Sequence, residues 1–343
     1  MCTSFLLKGS DGGAAYGRSM EFGMPLNSQL MISPRGYEYQ GIGIDGKAGT
    51  GLNWTAKYAV AGMNILGLPT YADGMNEKGL VGGLLNAPFT AQYQDVSQAD
   101  SANSINSSQI LLYALTNFAT IDEVKAGFAQ IFVNRSTVAA YKNQTPPVRV
   151  PLHDASGNSI VIEYIKGELV ITDNPTHVCT NDPVLTEQFT NIGNYANLTN
   201  IEQKPLVING ATYQSPSSGN GMHGLPGDYL STSRFIRALF LSKSVPASYS
   251  TEKMVNAAWH ITGSFDIPPG AITLTADNPY GGGVDGIEIT EWMIVADSKN
   301  MIYNVKMFDT TNVYAFDLKK INSDTRDLAY FKLDKPQMPI QMN

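Results

Sequence analysis

The stretch Met1-Cys2-Thr3-Ser4-Phe5-Leu6-Leu7-Lys8 is followed by Gly9-Ser10-Asp11-Gly12-Gly13 and by the return run Ala14-Ala15-Tyr16-Gly17-Arg18-Ser19-Met20-Glu21-Phe22. Cys2 to Lys8 has the composition of a short strand, the glycine-rich segment is a turn signal, and Ala14 to Arg18 reads as the hairpin partner. A hairpin of that length returns the chain to its own start and carries Arg18 and Glu21 towards Cys2. Small residues after an initiator methionine generally permit its removal, and Cys2 would then bear a free thiol and a free α-amine. Those groups ordinarily titrate close together, near ~8.5 and ~7.7 to 8. The amine can therefore serve as the thiol's own base, the role a histidine plays elsewhere. A guanidinium near the thiol favours the thiolate, and a carboxylate near the amine holds and orients the ammonium. Position alone fits two readings of Cys2 equally, such a nucleophile or an ordinary second residue of a strand, and an Arg and a Glu three residues apart more commonly form a surface ion pair.

The order Met1-Cys2-Thr3, then Gly17-Arg18-Ser19-Met20-Glu21-Phe22, then Pro34-Arg35-Gly36 resembles the choloylglycine hydrolase family, the bile salt hydrolases and penicillin V acylases among the N-terminal-nucleophile hydrolases. The likeness continues through Asp73-Gly74-Met75-Asn76-Glu77-Lys78-Gly79-Leu80, Thr180-Asn181-Asp182-Pro183, Leu225-Pro226-Gly227-Asp228 with Ser233-Arg234-Phe235, and Gly263-Ser264-Phe265-Asp266-Ile267-Pro268, so it spans essentially the whole chain. The resemblance implies that the Cys2 thiolate attacks a linear amide and forms a thioester, with Arg18 favouring the thiolate and Glu21 orienting the α-ammonium. It implies further that Asn86 and Asn181 bind the oxyanion and that Arg234 is a second active-site arginine, Arg237 being the competing candidate. A preorganised amide donor of this kind lowers an acyl-transfer barrier by roughly 2.7 to 4 kcal/mol. Read by themselves, Asn86 is also a strand-end residue starting a turn, and Asn181 the start of an Asn-Asp-Pro turn. The chain departs from the family at Glu21, where Asp is usual; the extra methylene keeps the charge but changes the reach.

The chain has 343 residues, 43% hydrophobic and 15% charged, with 23 Lys and Arg against 30 Asp and Glu, a net charge of −7. That balance argues against a nucleic-acid partner, which needs a basic face. Two cysteines, Cys2 and Cys179, make no disulfide framework, and Cys179 reads as a buried apolar residue. His153, His177, His223 and His260 show no metal-ligand spacing, so neither a metal nor a cofactor is expected. Gly41-Ile42-Gly43-Ile44-Asp45-Gly46 matches a dinucleotide fingerprint in letters alone, because no helix follows to receive a pyrophosphate. No apolar run approaches a membrane span, and no secretory signal opens the chain. A cytoplasmic location is expected, with a periplasmic or secreted one if a signal peptide has been removed.

Further along, Lys57 to Gly62 reads as a strand, Met63 to Thr70 as an apolar loop, and Asp73 to Asn86 as a turn feeding a glycine-rich strand. Ser107 or Ser108 is placed to cap one helix, and Thr120-Ile121-Asp122-Glu123 is a capping box for a second. The pattern from Val148 to Thr180 is β, residues 184–222 form a long polar loop, Glu252 to His260 a helix, and Glu288 to Leu318 the closing strands. Antiparallel runs interrupted by helices, without β-α-β alternation, indicate stacked sheets with helical outer layers. With the resemblance, this predicts an α+β, four-layer αββα N-terminal-nucleophile fold with two stacked antiparallel sheets, as one domain over residues 1–343. The resemblance also implies that the long polar loop packs against a neighbouring subunit in a homotetramer.

Met20, Phe22, Met24, Ile65, Leu66 and Leu68, with Phe132 and Val133, are expected to line an acyl pocket suited to a steroid or fatty acyl group, although several fit a core equally well. Asn86 leans towards bile salt hydrolases, since penicillin V acylases often carry an aromatic residue there. The expected partner is a small-molecule acyl amide, most directly a glycine- or taurine-conjugated bile salt. The alternatives are a penicillin V acylase, an acyl-homoserine lactone acylase, and, from another class, a catalytically silent binding protein of the same fold.

Overall fold

A computed structural model of the chain describes residues 1–278, 286–322 and 325–335. The opening hairpin forms as read, with β1 (Cys2–Lys8) paired to β2 (Ala14–Phe22) from Cys2 opposite Met20 to Lys8 opposite Ala14. Gly17 is required in β2, because a Cβ there would meet the Phe5 ring at 2.3 Å. This hairpin lies inside a six-stranded antiparallel sheet in the order Val178–Cys179, β1, β2, Ile289–Asp297, Ile302–Met307, Val313–Asp317. All nine residues of β2 are buried, which means the strand is covered on both faces.

One cover is a second antiparallel sheet, which runs Glu168–Asp173, Ser159–Ile165, Val148–His153, Val81–Gly83, Leu68–Asn76, Val60–Ile65, β3 (Leu30–Ser33), Ala329–Phe331. Phe5, Ala61, Met63, Met75 and Val161 belong to one core that joins the sheets. The other cover is helical. α4 (Ser231–Ser244) and α5 (Thr251–Gly263) bring Phe235, Leu239, Met254 and Ala258 into that core. On the far side, α1 (Ile110–Asn117) and α2 (Ile121–Phe128) bury Leu111, Leu115, Val124 and Phe128 against Tyr71, Val150 and Ile160. The order of layers is therefore helix, sheet, sheet, helix, an α+β architecture. Among the described residues, no helix is long and apolar enough to cross a membrane.

Several local expectations need correction. Met63 to Thr70 is mostly strand, the end of Val60–Ile65 and the start of Leu68–Asn76 joined by a tight turn at Leu66 (φ 55°) and Gly67 (φ 68°). The segment hid from the pattern because a leucine occupies a left-handed position usually given to Asn, Asp or Gly. Asn106, rather than Ser107 or Ser108, caps the first helical turn, accepting from the Ser108 amide. Thr120 caps α2 by accepting from Glu123, as the capping box requires. The long polar segment contains α3 (Leu185–Ile192) and a short hairpin, Leu206–Ile208 with Ala211–Tyr213. Residues 41–46 of the fingerprint-like run carry no helix.

Candidate active site

Cys2 is 2% exposed at the end of β1, where the two sheets meet, and it lines an apolar slot. Its Sγ lies 3.5 Å from Nη2 of Arg18 and 3.4 Å from Sδ of Met20. The register explains the first contact: β2 runs antiparallel to β1, so Arg18 and Met20 flank the thiol from the neighbouring strand. Arg18 is itself fully buried and fixed by other partners. Its Nη1 donates to Asp73 Oδ2 at 3.0 Å and to the Ala72 carbonyl, and its Nη2 donates to the Leu84 carbonyl at 2.6 Å. Trp292 covers it, with the ring centroid 5.1 Å from the guanidinium carbon. Burial works against the charge of Arg18, but Cys2 and Asp73 outweigh it and hold the group above its ordinary pKa.

Asp73 is the residue that sequence reasoning missed at this point. It accepts from Tyr16 at 2.8 Å, from Tyr303 at 2.7 Å and from Arg18, all of them buried. The visible signal was a carboxylate inside an otherwise apolar strand, Tyr71-Ala72-Asp73-Gly74-Met75. A charge there needs a buried partner, and the sequence does not say which.

Asn181 and Arg234 hold the chain start from the other side. The Cys2 backbone N–H donates to Asn181 Oδ1 at 2.9 Å, and Arg234 Nη2 donates to the same oxygen at 2.7 Å. Two donors on one amide oxygen fix the orientation of Asn181, whose Nδ2 donates to the Asn86 carbonyl at 2.7 Å. Arg234 also donates to the Cys2 carbonyl and to Thr3 Oγ1. Arg237 points elsewhere, to the Pro226 and Asp228 carbonyls and over the Phe265 ring. The loop bearing Asn181 is tied down by Arg149, another residue missed in the sequence, which donates to the Asn181 and Pro183 carbonyls at 2.7 Å each and pairs with Glu163. Asn86 borders the slot, and its buried Nδ2 has no hydrogen-bond partner. A desolvated, unmet donor bordering the same slot as a thiol has the chemistry to meet a developing oxyanion.

Glu21 is fully buried, and neither of its carboxylate oxygens makes a hydrogen bond. Burial pushes its pKa up to about 7, against the pull of the terminal ammonium and Arg234 and with a further push from Glu288. The Met1 ammonium goes to the Glu21 backbone carbonyl at 2.6 Å and to the carboxylate of Glu288. Glu21 thus reaches the terminus through its main chain.

The slot is formed by Met20, Phe22, Leu26, Ile65, Leu66 and Leu68 with Leu84, Val138, Tyr141 and Pro146 to Val148, and has a free volume of about 60 Å³. Three expected pocket residues are not on it. Met24 packs on the edge of the inter-sheet core. Phe132 and Val133 lie in a short strand paired parallel to Ser104–Asn106, and Val133 is buried in the core beneath α1 and α2. The apolar character of Met24 and Val133 serves packing, and Phe132 is half-buried. Conversely, Val138 and Tyr141 are apolar insertions in the polar loop from Arg135 to Asn143. Leu66 pays backbone strain to stand in the slot, of order 1–2 kcal/mol for a left-handed non-glycine residue. Leu66→Asn is expected to raise KM about tenfold with kcat little changed, by removing apolar contact while easing the turn. Initial rates over a range of substrate concentrations check this.

Among the described residues, no three His, Cys, Asp or Glu side chains converge as a bound metal would require. Cys179 is fully buried with a free thiol, and burial pushes its pKa up to about 12. A profile for linear amide C–N hydrolases of the choloylglycine hydrolase family matches residues 2–331. The chain is 28% identical over 341 residues to a bile salt hydrolase/transferase of Clostridium perfringens, covering 98% of each chain. It is 29% identical over 332 residues to a penicillin V acylase of Pectobacterium atrosepticum, covering 92% of this chain and 80% of that one. Its structure superposes on the crystal structure of the C2A mutant of the conjugated bile acid hydrolase from C. perfringens with a TM-score of 0.87, 26% identity and full coverage of both chains.

Proposed function

Because the chain belongs to the choloylglycine hydrolase family of linear amide C–N hydrolases, we propose that it is a Cys2-dependent amidohydrolase that removes glycine or taurine from bile salts. The observation that carries this reading is the setting of Cys2, a buried thiol beside the Arg18 guanidinium at the inner end of an apolar slot. Once Met1 is removed, Cys2 carries both nucleophile and base. Its sulfur attacks the amide carbonyl, and the S–C bond forms as the negative charge develops on oxygen towards Asn86 and Asn181. The C–N bond then breaks as the α-ammonium passes a proton to the leaving amine. The neutral α-amine next takes a proton from water, the hydroxide attacks the thioester, and the acid leaves as the thiolate and ammonium are restored. Arg18 favours the thiolate, Glu21 contributes its carbonyl and charge near the terminus, and Arg234 completes the polar network.

Bile salts as substrates rest on the relatives and on the apolar slot. The narrowness of the slot favours a second reading, in which a short aryl or alkyl acyl group, as in penicillin V, is preferred. About 60 Å³ holds only a few water-sized groups, and Val138 and Tyr141 are among the side chains that narrow it. Amine release from glycocholate, penicillin V and a long-chain acyl-homoserine lactone in one assay separates these. A glycocholate kcat/KM at least ten times that of the others is expected, and a preference for penicillin V assigns the second reading.

The same reading takes residues 1–343 as one amidohydrolase domain acting as a homo-oligomer, most simply a tetramer. Its support is the outward-facing Leu206, Val207, Ile208 and Tyr213 of the hairpin in the polar segment, an apolar patch that a neighbouring subunit would cover. Two unpaired thiols suit a reducing compartment such as the cytoplasm.

A further inference from the structure

Glu288 is a buried carboxylate, 1% exposed, at the turn into the Ile289–Asp297 strand. The Met1 ammonium is its ion-pair partner. An ionised carboxylate taken out of water is costly unless a cation or donors meet it. Removal of Met1 takes that cation away and creates another one residue further on, the α-ammonium of Cys2. Successive residues are about 3.8 Å apart along the backbone. Glu288 is therefore within reach of the new ammonium through a small side-chain movement or one water.

The surroundings make this counter-ion necessary. Among the described residues, the charged groups facing the chain start are Arg18 and Glu21 from β2, Arg234 from α4, and Glu288. The two guanidinium groups repel an ammonium, and Asp73 is already engaged by Arg18, Tyr16 and Tyr303. Glu21, which occupies the place where the family usually has Asp, makes no side-chain hydrogen bond. We propose that Glu288 is the counter-ion of the Cys2 α-ammonium in the processed chain, a positioning residue that keeps the proton on the amine until the leaving group takes it. This rests on Cys2 being the terminal nucleophile.

The test uses chains shown by intact mass to begin at Cys2, in wild type, Glu288→Gln and Glu288→Asp. With two cysteines in the whole sequence, ¹³C-cysteine labelling gives one Cys2 signal set and one from buried Cys179 as an internal control. Removing the negative charge lowers the α-ammonium titration midpoint in Glu288→Gln by about one pH unit, and the alkaline limb of kcat moves down with it. KM stays within about twofold. Glu288→Asp, which keeps the charge, recovers at least half of the shift. Midpoints of the Gln variant within about 0.2 unit of wild type, or equal shifts in the Gln and Asp variants, overturn the assignment. The NMR titration needs no turnover, so a wild type without amidase activity counts against the Cys2 reading, and an active wild type with an unmoved midpoint counts against Glu288 alone.

Discussion

Cys2→Ser is expected to lower kcat for amide hydrolysis by roughly 10³- to 10⁶-fold, the range seen when an activated nucleophile is removed. The exchange is nearly isosteric and leaves the slot, Asn86, Asn181 and Arg18 in place, so substrate binding survives while the chemistry fails. The reason is proton affinity. A thiol ordinarily titrates near ~8.5, within reach of an α-amine near ~8, whereas a hydroxyl lies far above both and needs a stronger base. Retaining Met1 is expected to be as damaging by a different route. The α-amine then sits on Met1, against Glu288 and the Glu21 carbonyl, while the Cys2 nitrogen is an amide held by Asn181 Oδ1. Steady-state amine release, with chain starts verified by mass, checks both variants. Activity within tenfold of the wild type in either would remove Cys2 from the role assigned to it.

Asp73→Leu is expected to cost roughly 3–5 kcal/mol of stability, the usual consequence of leaving one buried charge without its partner. Arg18 and Asp73 are both fully buried and 3.0 Å apart, and the side chain of Asp73 also gathers the hydroxyls of Tyr16 and Tyr303. A leucine fills the volume but strands the guanidinium and two hydroxyl donors. Activity falls further than stability alone explains, because Arg18 loses one of the contacts that aim it at the Cys2 sulfur, and small misplacements of a catalytic group cost about 10²-fold. Thermal unfolding and kcat, measured together, give the two effects. The double variant Arg18→Leu with Asp73→Leu is expected to be less destabilised than the sum of the singles, since it leaves no unpaired charge. Strict additivity would show that the two charges do not act as a pair.

These expectations also mark what could be read in the chain. The opening hairpin was legible because a turn rich in glycine separates two extended runs and fixes their register, and that register alone puts Arg18 beside Cys2. The Asn181 and Arg234 positions followed from motif resemblance, and the structure supplies their physical link, a shared oxygen on Asn181. The Leu66 turn was invisible because its residue type contradicts its backbone. α3 was overlooked although Leu185, Phe189 and Ile192 recur at helical spacing, since Thr and Asn dilute the signal between them. Asp73, Arg149 and Glu288 were missed for a common reason. Each is a single charge whose meaning comes from a partner distant in sequence, 55 residues away for Arg18 and 287 for Met1. Val133 shows the converse, since apolar character does not say which of two cores a residue enters.

Intact-mass analysis of the native protein quenched during turnover of a slow acyl amide is the most direct measurement. A population heavier by one acyl group, mapped by peptide sequencing to a Cys2 that begins the chain and released by hydroxylamine as a thioester would be, is the expected result. Hydrolysis proceeding at full rate with Met1 still attached, or with the acyl group absent from Cys2 under conditions where deacylation limits the rate, would contradict it.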